Sequence, residues 1–165
     1  MAAAPPRGLE ERLRDTRARL ENDVDLWVAT PGSPGVHLIP LSYLWNGTTF
    51  LISTPRASIT ARNLLSDPGV RLGIGPTRDV VIVDGTAEPL DLADLAPETG
   101  DAFATKTGFD PRKLDDHPYQ YFRIRPRRIQ AWREANELQG RDLMRDGHWL
   151  TTGAPTGAHQ HSTIR

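Results

Sequence analysis

The stretch Ser53-Thr54-Pro55-Arg56-Ala57-Ser58-Ile59-Thr60-Ala61-Arg62-Asn63-Leu64 gathers hydroxyl and guanidinium groups where a strand gives way to a helix. The free N–H groups of a helix start add to them. Several donors in a local positive field are what a phosphate group requires. The same residues also make an ordinary capped helix with surface arginines. Further along, Arg123, Arg125 and Arg127 alternate on one side of a strand. They form either an anion clamp or a solvated face that blunts an edge. Trp27, Trp45, Trp132 and Trp149 are candidates to stack on a ring or to fill a core. His148, His159 and His161 have no acidic ligand at a metal-binding spacing, so no metal site is expected. Gly73-Ile74-Gly75 lacks the third glycine and the helix of a dinucleotide loop, and there is no Ser-His-Asp set or phosphate loop of the Walker type.

These residues must be held by a framework that reads as mainly β with short helices. Leu9 to Asn22 has a leucine stripe and predicts a helix, with Glu10–Arg14 and Asp15–Arg19 as i,i+4 pairs. Leu26–Thr30, Val36–Trp45 and Thr48–Thr54 predict strands. Asn46-Gly47 between the last two predicts a type I′ hairpin, which needs φ > 0 at both central residues. Pro55–Ser66 predicts a helix, then Val70–Ile74 and Val80–Val83 two more strands, with Asp84-Gly85 at a bulge. Leu92–Thr107 predicts a helix broken near Pro97, and Tyr119–Trp132 a long last strand that Pro126 marks as an edge or a bend. Five or six strands with two helical excursions point to a small barrel, since a doubly wound fold would alternate strand and helix throughout.

The chain has 165 residues, enough for one domain with a proper core. We expect that domain over residues 1–153, with a flexible, dispensable tail at 154–165 of Gly, Pro, Thr and His. Lys and Arg number 20 against 21 Asp and Glu, a net charge of −1, which argues against a nucleic-acid partner. There are no cysteines, which removes disulfides, thiol nucleophiles and iron–sulfur clusters and suits a cytoplasmic protein. Pro5, Pro6 and Arg7 interrupt any secretory signal, and no apolar run nears the roughly 18 residues of a membrane span.

The order strand, Asn-Gly hairpin, strand and Ser/Thr/Arg turn resembles the pyridoxamine 5′-phosphate oxidase-like split β-barrels, which include flavin and deazaflavin oxidoreductases. The resemblance runs from about Leu26 to Trp149. Thr54, Ser58, Arg62-Asn63-Leu64 and Asp67-Pro68-Gly69-Val70 fall where that family's third-strand turn has its own pattern. The lysine that contacts the cofactor phosphate in the family is Thr60 here, so either Arg56 or Arg62 supplies the charge or phosphate affinity is low. Asp84-Gly85-Thr86-Ala87 matches a family strand ending. The family glutamine upstream is replaced near Asp79-Val80, and its contact is not carried over. Pro126-Arg127-Arg128-Ile129-Gln130-Ala131-Trp132 looks like the closing strand, whose Trp lies by the flavin. Arg141-Asp142-Leu143-Met144-Arg145 parallels an Arg-Leu-His-Asp-Arg element, with Leu143 in place of a histidine that holds pyridoxal phosphate. That departure speaks against a pyridoxamine phosphate oxidase proper.

The resemblance implies a homodimer that binds FMN or coenzyme F-420 at its interface and exchanges hydride with a small-molecule substrate. It implies that Pro40, Leu41 and Ser42 lie along the ring, that Ser53, Thr54, Arg56, Ser58, Thr60 and Arg62 meet the phosphate, that Arg141 also binds the cofactor, and that Trp132 and Arg145 reach over from the other subunit. Leu38, Leu41, Leu44 and Trp45 are candidates for apolar cover, and Tyr43 and Tyr119 for a proton donor. Two other readings of the same fold are a non-catalytic carrier or sensor for flavin or haem, and a cofactor-less interaction module.

Overall fold

The computed structural model describes residues 4–116 and 118–152. The expected tail at 154–165 lies outside the described residues. Helix α1 (Leu9–Asn22) leads into strands β1 (Asp25–Thr30), β2 (His37–Trp45) and β3 (Phe50–Pro55). Helix α2 (Ile59–Ser66), β4 (Gly69–Ile74), β5 (Val80–Leu90) and α3 (Pro97–Thr107) follow, then β6 (Tyr119–Trp132), β7 (Asp142–Arg145) and β8 (His148–Trp149). The strands form one antiparallel sheet in the order β3-β2-β1-β4-β5-β6-β7-β8. Pairing of β3 with β6, from Phe50↔Ile124 to Pro55↔Tyr119, closes the first six into a split β-barrel. The β7–β8 hairpin extends from β6.

Alternation explains the barrel. In β1, Leu26, Val28 and Thr30 point inward, and in β4 Val70, Leu72 and Ile74 do the same. Phe50, Ile52, Phe122, Ile124 and Ile129 join them in one core. Tyr43 and Trp45 pack on Phe50 with ring centroids 5.7 and 4.6 Å away. Leu13 and Leu20 of α1 and Ala61 and Leu64 of α2 plug the same core. A second, smaller core lies outside the barrel, where α3 lays Phe103 edge-on against Tyr121 at 5.6 Å, above Leu51 and Leu90.

Three sequence expectations change. The hairpin at Asn46-Gly47 is not type I′. Gly47 alone has positive φ, at 94°, because the Asn46 side chain closes the turn itself by accepting the N–H groups of Thr48 and Thr49 at 2.9 and 2.7 Å. The two consecutive positive φ values belong to Asp146 at 51° and Gly147 at 78°, which turn β7 into β8. The described residues therefore hold eight strands rather than five or six, with β7 and β8 added to the six of the barrel. The helix expected from Pro55 starts at Ile59, because Ser58 takes the cap position and accepts the Ala61 N–H at 3.1 Å.

The bulge at Asp84-Gly85 is present: Asp84 pairs with Arg128 and Gly85 with Pro126, which leaves Arg127 extra. A Cβ on Gly85 would stand 2.8 Å from the Arg125 carbonyl oxygen, so the bend requires glycine there. Pro126 pairs with Gly85 of β5 on one flank, while on the other it falls in the gap between the β3 pairing, which ends at Ile124, and the β7 pairing, which begins at Ile129, so it marks a local edge and a bend together.

The expected Asp15–Arg19 pair gives way to a network. Arg19 binds Asp23 at 3.1 Å and Asp79 at 2.9 Å, while Asp15 accepts Arg7 at 3.1 Å. Arg7 also grips the buried Glu137 through three donors, its backbone N–H at 3.0 Å and two guanidinium N–H groups at 3.0 and 2.8 Å. Arg12, buried on α1, donates to the carbonyls of Arg7 and Glu137. These contacts tie the chain start to the turn before β7. The hydrogen bonds from Arg7 hold the Glu137 carboxyl at about 2. A carboxylate lowered in the folded state contributes stability above its unfolded value near 4.5, lost as pH falls towards 2. Arg7→Ala leaves Glu137 buried without its partner and is expected to cost about 3 kcal/mol. Urea unfolding at pH 7 and pH 2.5 checks both points, with a smaller cost expected at the lower pH.

Candidate functional site

The barrel opens where β2 changes partner. Residues Asp25 to Thr30 of β1 pair with Ser42 down to His37, whereas β3 takes over only at Tyr43↔Ile52 and continues to Trp45↔Phe50. Beyond that point β2 and β3 diverge. Ser53, Thr54 and Pro55 then pair with β6 alone. A cleft of about 280 Å³ occupies the gap, and Pro40, Leu41, Ser42 and Ser53 all line it. Two segments singled out separately in the sequence, Pro40–Ser42 and the start of the turn at Ser53, thus come together. The far wall consists of Phe103 and Thr107 of α3 with Phe109 and Tyr119, whose rings sit 5.3 Å apart.

This lining suits a flat, mostly apolar ring with a few polar edges. Ser42 is held by a 2.6 Å hydrogen bond to Asp25. The Ser53 hydroxyl is buried and has no hydrogen-bond partner. A buried hydroxyl left unpaired is costly, so a ligand that bonds to it recovers that cost.

The adjoining turn is less generous than its composition. Thr54 Oγ1 and Ser58 Oγ lie 3.0 Å apart and bond to each other, and Ser58 is further committed to the helix cap. Thr60 is fully buried and its hydroxyl is unpartnered, so it does not replace a lysine at the surface. What the turn presents is the pair of exposed guanidiniums of Arg56 and Arg62, both outside any ion pair among the described residues, and the first N–H groups of α2. These fit a phosphate, with arginine in place of lysine.

Trp132, Arg141 and Arg145 lie elsewhere on the chain. Arg141 sits 5.4 Å from the Trp132 ring, and it lines a cleft of about 360 Å³ with Arg128, Gln130 and Arg145 that shares no residue with the first. Asp142 gathers this second group, accepting Gln130 at 2.7 Å, Arg145 at 2.9 Å and Arg128 at 3.0 Å. Burial alone would raise its carboxyl, but these three donors hold it below the usual carboxylate range. Leu143, beside it, is fully buried in the barrel core.

Several expected roles fall away. Tyr43 is not a proton donor: its hydroxyl donates to the Leu20 carbonyl at 3.0 Å, and burial pushes the phenol well above its usual range. Of the expected cover residues only Leu41 lines the cleft. Leu38 points to solvent, Leu44 packs under α3 and Trp45 fills the barrel. Arg125 is paired with Glu88 at 3.6 Å, and Arg123, Arg125 and Arg127 do not line the cleft. The α3 wall was missed. Phe103 and Thr107 stand four apart on one helix face, a spacing that marks a shared face but not what the face covers.

Comparison with known proteins agrees with this architecture. The sequence model of the family described as pyridoxamine 5′-phosphate oxidase matches residues 15–133. Among solved structures, an FAD-binding protein from Mesorhizobium loti is similar, with 18% identity over 71% of this chain and 89% of its own, and a TM-score of 0.58. An F-420 reductase is 16% identical, covering 68% of this chain and 94% of its own, with a TM-score of 0.53. A protein related to general stress protein 26, from Clostridium acetobutylicum, is 16% identical over 76% of this chain and 90% of its own, with a TM-score of 0.58. No curated protein matches the chain.

The two unpartnered hydroxyls are expected to respond differently to removal. Thr60→Val keeps the shape and deletes an unsatisfied buried group, and should raise stability by about 1 kcal/mol. Ser53→Ala likewise deletes an unsatisfied buried hydroxyl and should raise stability by about 1 kcal/mol, but it should also weaken whatever ligand occupies the cleft. Thermal unfolding of both variants, with and without riboflavin, checks this.

Proposed function

Because the chain belongs to the pyridoxamine 5′-phosphate oxidase family, we propose that it is an oxidoreductase that binds FMN or the deazaflavin coenzyme F-420 between two copies of itself and passes hydride to or from a small organic substrate. The observation that carries this reading is the convergence of Pro40, Leu41, Ser42 and Ser53 on one cleft in the split of the barrel, beside two exposed arginines. When bound, a flavin or deazaflavin supplies hydride transfer at its central ring.

The chain's own residues supply the setting. Leu41 and Phe103 cover a ring face and exclude water. Ser53 offers one hydrogen bond to a polar edge, and Tyr119 at the rim is the remaining phenol able to hold a proton near a substrate. Arg56 and Arg62 anchor the phosphate. Trp132, Arg141 and Arg145 share no lining with this cleft, so in this reading they serve the other subunit's site. The absence of cysteine is compatible with work in a reducing cytoplasm, and no described helix is long and apolar enough to cross a membrane.

The buried Leu143 takes the place of the substrate-gripping histidine, which supports a substrate other than pyridoxamine phosphate. A second reading, a carrier that holds the ring without turnover, draws on Thr60: a phosphate grip that relies on flexible surface arginines is weaker than one built on a fixed lysine.

Titration of the cofactor-free protein with riboflavin, FMN and F-420, followed by fluorescence, tests the proposal. Riboflavin should bind, and FMN or F-420 should bind more tightly. A charge-assisted hydrogen bond contributes about 1.5–3 kcal/mol, so Arg56→Ala or Arg62→Ala should raise the FMN dissociation constant about 10- to 100-fold and leave riboflavin unchanged. Equal loss for both ligands would remove the turn from the phosphate site. Reduction of the bound ring by NAD(P)H, or oxidation of bound reduced deazaflavin by an organic acceptor, separates enzyme from carrier.

A further inference from the structure

Helix α3 and the turns on either side of it leave the sheet and return to it. Residues 91–114 follow Leu90 of β5 and precede β6, and these two strands are partners, with Leu90↔Tyr121 as their last pair. The excursion can therefore move without disturbing the sheet. It also holds itself together. Arg112 donates to Asp110 at 2.8 and 2.9 Å, to Asp101 at 2.7 Å and to the Pro97 carbonyl at 3.3 Å. Its guanidinium covers Gly100, where a side chain would collide with it. The Thr107 hydroxyl donates to the Phe103 carbonyl at 2.8 Å and accepts the Phe109 N–H at 3.3 Å. Among the described residues, no hydrogen bond or ion pair joins residues 91–114 to the rest of the chain.

Packing alone fastens this unit to the barrel, and it does so lightly. Helix α1 sinks Leu13 and Leu20 into the main core, and α2 sinks Ala61 and Leu64. Helix α3 buries one side chain, Phe103, besides the backbone of Gly100. With Leu95, Phe103 rests on Leu51, Leu90 and Tyr121. Docking also has a cost. The Ser53 hydroxyl, the Tyr121 hydroxyl and the Lys106 amine are all buried without a hydrogen-bond partner, and all three lie where α3 meets the barrel. Lys106 gives up its water shell for one contact, 4.4 Å above the Tyr43 ring. An unpaired buried polar group costs about as much as one buried phenylalanine contributes. Lifting the unit returns these groups to water. The docked and lifted arrangements are thus close in free energy, as in segments that open locally.

We infer that residues 91–114 form a lid on the ring cleft, which lifts from β2, β3 and β6 to pass a ligand and settles again over it. The position fits: Phe103, Thr107 and Phe109 are three of the four residues of the cleft's far wall, so lifting the unit takes most of that wall away. A ligand bonded to Ser53 supplies the partner that the empty docked state lacks, so occupancy favours the settled lid. Tyr121 sets the balance between the two positions. It meets Phe103 without lining the cleft, and water reaches its hydroxyl only when the lid is up. The identity of the ligand rests on the proposed function; the movement does not.

Amide hydrogen exchange of the full chain without ligand tests the movement. The α3 amides should exchange by local opening, with protection at least about 100-fold below that of the central strands β4 and β5. Tyr121→Phe removes the unsatisfied hydroxyl of the docked state and should slow α3 exchange about fivefold or more. Phe103→Leu loosens the one deep anchor of the helix and should speed it. Stopped-flow binding of riboflavin tests the gate. Tyr121→Phe should slow association and dissociation by the same factor and leave the dissociation constant unchanged, which loss of a ligand contact does not do. An α3 that exchanges only together with the central strands, or whose exchange Tyr121→Phe does not slow, overturns the lid. Riboflavin binding at rates that Tyr121→Phe does not alter overturns it as well, and leaves the ring-binding proposal standing. An α3 that opens locally and slows in Tyr121→Phe, in a protein that binds no riboflavin, upholds the lid and removes the proposed function.

Discussion

Six paired positions between β3 and β6, Phe50↔Ile124 to Pro55↔Tyr119, decide what this molecule can be. Without them the sheet is open and β3 is a free edge, with unpaired backbone groups and a tendency to pair elsewhere. With them the sheet closes, and β3 cannot follow β2 along its whole length. The strand must leave β2 after Ile52 to stay with β6, and the gap so created is the cleft. The candidate site is thus a consequence of barrel closure, not an addition to it.

The same constraint orders the surroundings. Outward residues of β3 and β6, Leu51 and Tyr121, need cover, and α3 supplies it with Phe103. That brings Thr107 and Phe109 to the mouth of the gap. Lys106, next to them, lies 4.4 Å over the Tyr43 ring, with its amine buried and lowered by that burial. It ties α3 to β2, and through the Tyr43 hydroxyl to the end of α1. Inside the barrel Thr54 turns back onto Ser58, which fixes where α2 begins and hence where Arg56 and Arg62 emerge. Closure, helix cover and helix cap together hold the apolar and cationic parts of the site next to each other.

Much of this is legible in the sequence because local rules and burial agree. Residues Leu9–Asn22 and Tyr119–Trp132 have clear periods and fold as those periods require. The order of the motifs singles out Pro40 to Ser42 and Ser53, and these line one cleft. What the sequence hides is how side chains are spent. Four hydroxyls in one turn look like four donors, but Thr54 and Ser58 satisfy each other and Thr60 faces the core. Asn46-Gly47 and Asp146-Gly147 look alike, and only the second takes the I′ geometry, because Asn46 has backbone donors within reach of its own side chain. Arg7 reaches Glu137 across 130 positions, a contact no local pattern announces. The α3 wall is invisible for the same reason, since nothing in Phe103 says which strands it will cover.

The claim on which the account depends is that a flavin-like ring lies in the split between β2 and β3. Amide and methyl chemical-shift mapping during addition of riboflavin reads this without relying on turnover, phosphate or oligomeric state. Shifts are expected to centre on Leu41, Ser42, Ser53, Thr107, Phe109 and Tyr119, with α2 responding only when FMN replaces riboflavin. Shifts confined to the cleft around Arg128 and Arg145, or none at saturating ligand, would contradict it.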